Sequence, residues 1–343
     1  MTYAIEISKK FGTPHDQDRR RIVKRYFLEF FEKFESKSLS RLASFLFRNF
    51  RRNSKSRISI SLRFLLTRFY KFDPLENMKC EKFSLAILTS PKDIEILAYS
   101  LASIVEIYKE EIEEIFIVFP ESLLKEVAER VEFLDLNMEP TLITDERVID
   151  KYIAKNFKFS STVPKMESIK LCLPSLSNSE NMLVVDGDTI YLKKRVWRSK
   201  NSICQVVAQE YMSEHINFHK DKLNLKCNSG LGFVTHHSFF IRSEIDSIRS
   251  AWGGMQELAM AIDSQFQQGF DSGAFPSEWQ MYGDWIFEQK KYKFEAARFD
   301  NLGISREALP LVHFPDTKVI TELLFELKSA VPNLGSLSLH DYK

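Results

Sequence analysis

Glycine and proline are scarce in this chain of 343 residues, at 11 each, which excludes fibrous and low-complexity classes. Cysteine is scarcer still. Cys80, Cys172, Cys204 and Cys227 form no C-x-x-C pair, so the spacing supports neither a zinc knuckle nor a redox motif, and reduced thiols are expected. No stretch approaches the roughly 18 consecutive apolar residues of a transmembrane helix. The opening MTYAIEISKKFGTPHDQDRRR lacks the apolar core of a secretory signal, so a cytoplasmic protein is expected. There is no G-x-G-x-x-G, Walker A or G-x-S-x-G motif and no internal repeat. Net charge is nearly absent too: 48 Lys+Arg against 47 Asp+Glu leaves +1, which removes any whole-chain pull toward nucleic acid. What the chain has in quantity is phenylalanine, 29 of them, within an ordinary 44% hydrophobic content. That is a globular composition with a large aromatic payload for a core or for an apolar partner.

The charge is balanced only in sum. Residues 1–72 carry 18 basic and 6 acidic side chains, and the rest carries 30 and 41. In the first part Ile22, Val23, Tyr26, Phe27, Phe30, Phe31 and Phe34 recur at helical spacing, with Arg19, Arg20, Lys24 and Lys33 off the stripe. Further stretches, Leu42–Phe50 and Ile58–Tyr70, repeat this mixture of Phe, Leu and Arg. Basic helices with one aromatic face suit an anionic membrane surface. A helical cap packed on the main domain, with its charges solvated, is the other reading. Nucleic-acid binding is disfavoured because the cations alternate with apolar residues instead of forming an open face. Two regions follow: 1–80, basic, Phe-rich and helical, and 81–343, a separate main domain.

After Asp73-Pro74 the pattern changes. Phe83–Thr89 reads as a strand, Ile94–Tyr108 as a helix, Ile115–Phe119 as a strand, Ser122–Val131 as a helix and Thr141–Thr144 as a short strand. Strand and helix alternating at this spacing imply βαβ units and a mainly parallel sheet flanked by helices, an α/β fold. Ligands of such sheets bind at the carboxyl ends of the strands. The loop Thr89-Ser90-Pro91-Lys92-Asp93, with Thr89, Ser90 and Asp93 as its polar groups, is therefore a candidate ligand edge.

The most informative segment is Met182–Leu192, in which four apolar residues end at Asp186-Gly187-Asp188. Carboxylates two residues apart at a strand end repel each other unless a cation lies between them. Hard oxygen ligands suit Mg²⁺ or Mn²⁺, and either ion would also hold a diphosphate. Gly187 allows a sharp turn and a close approach by phosphate.

An apolar strand followed by D-x-D resembles the donor-site motif of GT-A glycosyltransferases. Gly230–His237 (GLGFVTHH), Pro276–Gly283 (PSEWQMYG) and Leu311–Phe314 (LVHF) sharpen the likeness to a group of bacterial GT-A-type proteins, over roughly 82–316. The resemblance implies a Rossmann-like GT-A fold and sugar transfer from a nucleotide-sugar donor, most often a uridine diphosphate sugar, to a saccharide or lipid-linked hydroxyl. It implies that Asp186 and Asp188 bind the metal–diphosphate, with Asp188 the direct ligand, and that His313 is a further metal ligand. Glu278 would face the acceptor as general base in an inverting enzyme, or orient the acceptor in a retaining one. His236 or His237 would contact sugar hydroxyls or phosphate, with alternation sending only one of them into the cleft. Lys170 would neutralise the leaving group.

Each assignment has a plainer alternative: a solvated acidic turn, a helix-capping Glu278, ordinary loop histidines at 236, 237 and 313, and an exposed helix lysine at 170. Tyr282, one turn beyond Glu278, would line the same pocket. His215 and His219 are spaced like zinc ligands, but no third ligand accompanies them. Two other functions compete. One is a haloacid-dehalogenase-like phosphatase with Asp186 as nucleophile, and the other is a non-enzymatic membrane-surface scaffold.

Overall fold

A computed structural model describes Thr67 and residues 69–340, apart from positions 133, 135, 137, 156, 209–210, 227–228, 270–271, 307–308, 310, 312–314 and 333. Most of the basic region 18–72, and His313, therefore lie outside the described residues. Tyr70 packs with Val207, Leu231 and Phe233, and Leu75 and Cys80 enter the main core, so the described part of the first 80 residues lies against the domain that follows.

The chain then runs β1 (Phe83–Leu88), α1 (Ile94–Tyr108), β2 (Ile112–Phe119), a 3₁₀ turn, α2 (Leu124–Glu132), β3 (Thr141–Thr144), α3 (Asp145–Tyr152) and α4 (Thr162–Cys172). There follow β4 (Asn181–Asp186), β5 (Thr189–Tyr191), β6 (Arg198–Ser199), β7 (Ser202–Val207), α5 (Ser213–His219) and β8 (His237–Ile241). The last third holds α6 (Arg242–Ala251), α7 (Met255–Gln268), α8 (Glu278–Gln289), β9 (Lys293–Arg298), β10 (Asn301–Ser305), α9 (Thr317–Ala330) and β11 (Ser336–His340).

The central sheet has the order β3-β2-β1-β4-β8. Its first four strands are parallel, and β8 runs antiparallel to β4. This is the α/β class that the strand–helix alternation predicts. All six residues of β1 are buried, because a parallel strand is covered by helices on both faces and has no solvent side. One apolar layer under the sheet includes Leu85, Ile87, Leu183 and Val185, packed with α1 and α9. The other includes Ala86, Leu88, Met182 and Val184, packed with α3, α4, α6, α7 and α8. Two smaller sheets, β10-β11-β5 and β6-β7-β9, complete the described fold.

The order of the central strands fixes the ligand crevice. From β1 the chain moves outward through β2 to β3, then returns to place β4 on the other side of β1. At such a reversal the flanking loops of an α/β sheet diverge, and the carboxyl ends of β1 and β4 are where a ligand crevice is expected. Thr89 follows β1 there and Asp186 ends β4, with Leu88 and Asp186 in register. Gly187 is required at this junction for a reason other than a positive φ. Its N–H donates to Leu88 O at 2.7 Å, and a Cβ at 187 would stand 2.8 Å from that same oxygen. The two strand ends can meet only where no side chain intervenes.

Candidate functional site

Register brings the charged residues together. Val185 pairs with His237 across β4 and β8, and the Asp186 N–H donates to His236 O at 2.9 Å. Residues opposite each other in an antiparallel pair share a face, and successive residues alternate. Asp186 and His236 therefore lie on the face covered by α4 and α8, whereas His237 lies on the other. His236 Nδ1 stands 3.7 Å from Asp186 Oδ2 and 3.9 Å from Asp188 Oδ1. Burial would lower its pKa, but Asp186 and Asp188 outweigh burial and raise it. His237 is not brought to this site. It is 3% exposed and packs against Tyr191, Trp197 and Phe299.

Both helices on the acid face contribute to one ionic knot. Lys170 of α4 is 8% exposed, so it is not a solvated helix lysine. Its Nζ lies 2.9 Å from Asp186 Oδ1, 2.8 Å from Glu278 Oε1 and 4.3 Å from the centre of the Trp279 ring. Burial alone would lower Lys170, but the two carboxylates raise it, so the ammonium stays charged. Asp186 has the converse balance: burial raises it, while Lys170 and His236 bring it down to about 2. Because Lys170 is already shared by two carboxylates, its charge is committed within the protein.

Glu278 does not simply cap its helix. Ser277 does that, accepting from Gln280 N at 3.4 Å. The Glu278 side chain is 2% exposed and turns to Lys170. Its own N–H donates to Glu167 Oε2 at 3.1 Å. Burial and the Glu278 charge push Glu167 well above the ordinary carboxyl range, so it holds its proton strongly. As placed, Glu278 faces Lys170 and Glu167. Tyr282 is also turned away from the crevice, contrary to expectation. It is fully buried against Phe240 and its hydroxyl accepts from Ile241 N at 2.9 Å, because the same-side rule for helix residues says nothing about which neighbour fills that side.

Asp188 lies across the turn, 9% exposed, with Thr189 Oγ1 donating to its Oδ1 at 3.2 Å. Burial and the nearby Asp186 raise it to about 6. In the loop after β1, Ser90 Oγ donates to Asp93 Oδ2 at 2.5 Å, and Arg306 Nη2 meets Asp93 Oδ1 at 2.5 Å. Thr89 is buried, with no hydrogen-bond partner for its Oγ1. The 89–93 loop is thus tied to the segment after β10.

The loop that delivers His236 is held by α8. Phe233 N donates to Gln280 Oε1 at 2.9 Å, Gln280 Nε2 donates to Leu231 O at 2.9 Å, and Ser229 Oγ donates to Asp284 Oδ1 at 2.6 Å. Phe233 also packs directly on Gly283, where a Cβ would stand 2.3 Å from the ring. The two glycine-containing segments of the sequence therefore fit into each other. His219, at zinc-like spacing with His215, instead contacts Asp284 at 3.2 Å, whereas His215 Nδ1 bonds Phe275 O at 2.8 Å.

The donor set fits a hard divalent cation by its chemistry. Lys170 balances only one of Asp186 and Glu278, and Asp188 adds a further buried carboxyl whose ionisation Asp186 opposes. His236 offsets part of this charge, and the raised pKa of Asp188 marks the repulsion that remains, which a metal ion bound there would relieve. Among the described residues no group of three or more His, Cys, Asp or Glu side chains is arranged as a complete metal site, and His313 lies outside those residues.

The structure adds Glu167, Trp279 and Arg306 to the residues read from the sequence. Glu167 and Lys170 are three apart on one helix, a pairing signal visible in the sequence. Arg306 sits in a segment without any pattern.

No protein-family model matches the chain, and no curated protein matches it. Similar solved structures include the galactosyltransferase LgtC in complex with donor and acceptor sugar analogues, at 10% identity and TM-score 0.40, covering 76% of this chain and 88% of that one. Mouse xyloside xylosyltransferase 1 is 13% identical, TM-score 0.37, over 65% of this chain and 88% of its own. The bifunctional glycosyltransferase WbbM is 10% identical, TM-score 0.44, over 80% of this chain and 48% of its own.

Replacing Lys170 with Met strips two carboxylates of their partner at once. It is expected to lower stability at pH 7 by about 3–5 kcal/mol in urea unfolding, because uncompensated buried charge is left behind. Adding Glu278→Gln to that variant should recover a measurable part. A double-mutant cycle with no coupling between 170 and 278 would contradict the ion pair. Asp188 carries the opposite sign. Its folded carboxyl titrates at about 6 against an ordinary value of 3.8, so between those pH values the folded chain keeps a proton that the unfolded chain releases. Stability from this group is lost as pH rises through that window. In chelator-treated protein, Asp188→Asn should therefore be stabilising at pH 7.5, on the order of 2 kcal/mol, and nearly neutral at pH 4. Equal effects at both pH values would refute the burial of that charge.

Proposed function

We propose that this chain is a GT-A-type glycosyltransferase that moves a sugar from a nucleotide-sugar donor to a hydroxyl acceptor. The observation that carries the reading is the Asp186-Gly187-Asp188 turn at the reversal between β1 and β4, joined through Lys170 to Glu278 on a helix that flanks the same crevice. Crevices of this kind hold nucleotides, and the acidic turn is where a diphosphate would need charge neutralisation. The resemblance of the motifs over roughly 82–316 to GT-A glycosyltransferases implies a donor that is most often uridine-linked, and an acceptor saccharide or lipid-linked sugar of bacterial surface polysaccharide or glycolipid synthesis.

Asp186 and Asp188, with His313, would hold Mn²⁺ or Mg²⁺. Such an ion, when bound, supplies neutralisation of the negative charge on the departing diphosphate. The chain's own residues then divide the work. The 89–93 loop, braced by Arg306, walls the nucleotide side. Lys170 keeps Asp186 ionised and aimed. His236, opposite Asp186, presents an imidazole to phosphate or sugar hydroxyls. Glu278 acts through Lys170 as a positioning residue, holding the ammonium against Asp186 from the acceptor side.

The test is a thermal-shift series on the full-length protein with uridine diphosphate sugars, with and without Mn²⁺. A ligand that binds only the folded state raises Tm by mass action. The expected result is a saturable rise that requires Mn²⁺ and disappears in Asp188→Asn, together with metal-dependent sugar hydrolysis or transfer in the wild type. If no nucleotide sugar gives a Mn²⁺-dependent shift, or if Asp188→Asn binds as well as the wild type, the reading fails. The basic aromatic region 18–72 is proposed to bring the enzyme to an anionic membrane surface. Full-length protein should then sediment with anionic vesicles more than with zwitterionic ones, and less at 0.5 M salt than at roughly 0.05 M. Equal sedimentation with both would leave the region a packing element only.

A further inference from the structure

Helix α2 carries apolar residues on two faces. Val127, with Leu123 just before the helix, is buried in the main core. Leu124, Ala128 and Val131 recur four and three residues apart along another face. Leu124 is 48% exposed, Ala128 is exposed and Val131 is half-buried. This second row does not end with the helix. Ala128 and Val131 line a groove of about 390 Å³ together with Leu136, Met138 and Leu142, so apolar surface continues from α2 to β3. That volume lies in the range of pockets that take a ligand.

The groove lies at the end of the central sheet, where β3 is the edge strand. Parallel strands are normally covered by helices on both faces. Leu142 of β3 packs with Val131 at the margin of the main core, yet it stays half-buried. Helix α2 therefore covers this end of the sheet incompletely and leaves room for one more apolar element.

The rim specifies the charge of that element. Glu132 and Glu139 both line the groove, both are exposed, and neither makes an ion pair among the described residues. The cations of α2 do not serve them. Lys125 pairs with Glu129 at 3.7 Å, and Arg130 is 2% exposed. A complementary occupant has an apolar face to fill the groove and basic side chains beside it.

The chain itself contains such a segment, outside the described residues. Within 22–34, Tyr26, Phe27, Phe30, Phe31 and Phe34 recur at helical spacing, with Arg19, Arg20, Lys24 and Lys33 off the stripe. As a helix it would be about 20 Å long. Its tether is long enough. Tyr70 packs on Val207 of β7, and Gln205 of β7 donates to Phe239 O of β8, at the edge of the sheet opposite β3. Residues 35–66 can span roughly 100 Å when extended, whereas five strands are about 20–25 Å across. A tethered segment meets its groove at an effective concentration on the order of millimolar, so modest contacts suffice.

We propose that the aromatic stripe of residues 22–34 docks within its own chain into the groove between α2 and β3, with its basic flank against Glu132 and Glu139. The Arg-rich remainder, 41–66, is then the part left to meet an anionic membrane.

The test uses full-length protein, without vesicles, carrying the photocrosslinker p-benzoylphenylalanine in place of Ala128 or, as a control on α9, of Phe325. After irradiation, mass spectrometry of the monomer band should find the probe at 128 joined to peptides from 22–34, and the probe at 325 should not reach them. Glu132→Lys combined with Glu139→Lys should cut that yield about threefold at low salt, and less at 0.5 M salt. All these positions are exposed, so the fold is not at stake. A second measurement needs no probe: Phe27→Ser with Phe30→Ser should speed amide hydrogen exchange in the peptides that cover α2. Crosslinks that form only a covalent dimer, none from position 128 to 22–34, equal yields from 128 and 325, or a yield and exchange rate unmoved by the substitutions would each overturn the proposal.

Discussion

Everything at the crevice depends on one ammonium group. Lys170 Nζ is held between Asp186 on the central sheet and Glu278 at the start of α8, over the face of Trp279. Three elements distant in sequence meet at this nitrogen. Its burial makes the contact matter, since a charge at 8% exposure is stable only while its partners remain in place. The arrangement also works in reverse: without the ammonium, two carboxylates would face each other across a poorly solvated space. Lys170 therefore sets the spacing between the strand that carries the acidic turn and the helix across the crevice.

That spacing is maintained by close backbone fits. Gly187 lets the end of β4 touch the end of β1, and Gly283 lets Phe233 seat directly on α8. Gln280 and Asp284, one helical turn apart, fasten the 229–233 loop by hydrogen bonds to its backbone and to Ser229. His236 follows three residues later. The imidazole opposite Asp186 thus inherits its position from the same helix that presents Glu278 to Lys170. A disturbance of α8 would reach the acidic turn by two routes, one ionic and one through the loop.

How legible this was in the sequence varies with the range of the interaction that fixes each part. The helix at 94–108 and the strand at 141–144 have the limits that periodicity predicts, because local pattern and flanking Pro and Asp residues decide them. The strand before Asp186 was equally plain as an apolar run. The small sheets were not, since β5 and β6 have three and two residues and depend on partners far along the chain. Among the site residues, strand alternation could say that His236 and His237 diverge, but only the pairing with β4 says which one meets Asp186. The reason for Gly187 was also different from the one expected. The sequence suggested room for a phosphate, whereas the nearest constraint is Leu88 O. Glu278 stood out as a helix-start carboxylate, yet its actual neighbours, Lys170 and Glu167, lie more than a hundred residues earlier and no local signal links them.

Charge balance connects the two faces of the sheet. On the acid face Lys170 and His236 stand against Asp186 and Glu278, and Asp188 resists ionising beside Asp186. On the other face Arg195 is buried, donates to the Phe72 and Arg298 carbonyls, and stabilises the charge of Asp73. The adjacent histidines of one strand mark the divide, His236 drawn toward protonation by carboxylates and His237 driven from it by burial and by Arg195. One-residue alternation thus gives two neighbouring histidines opposite environments within a single sheet thickness.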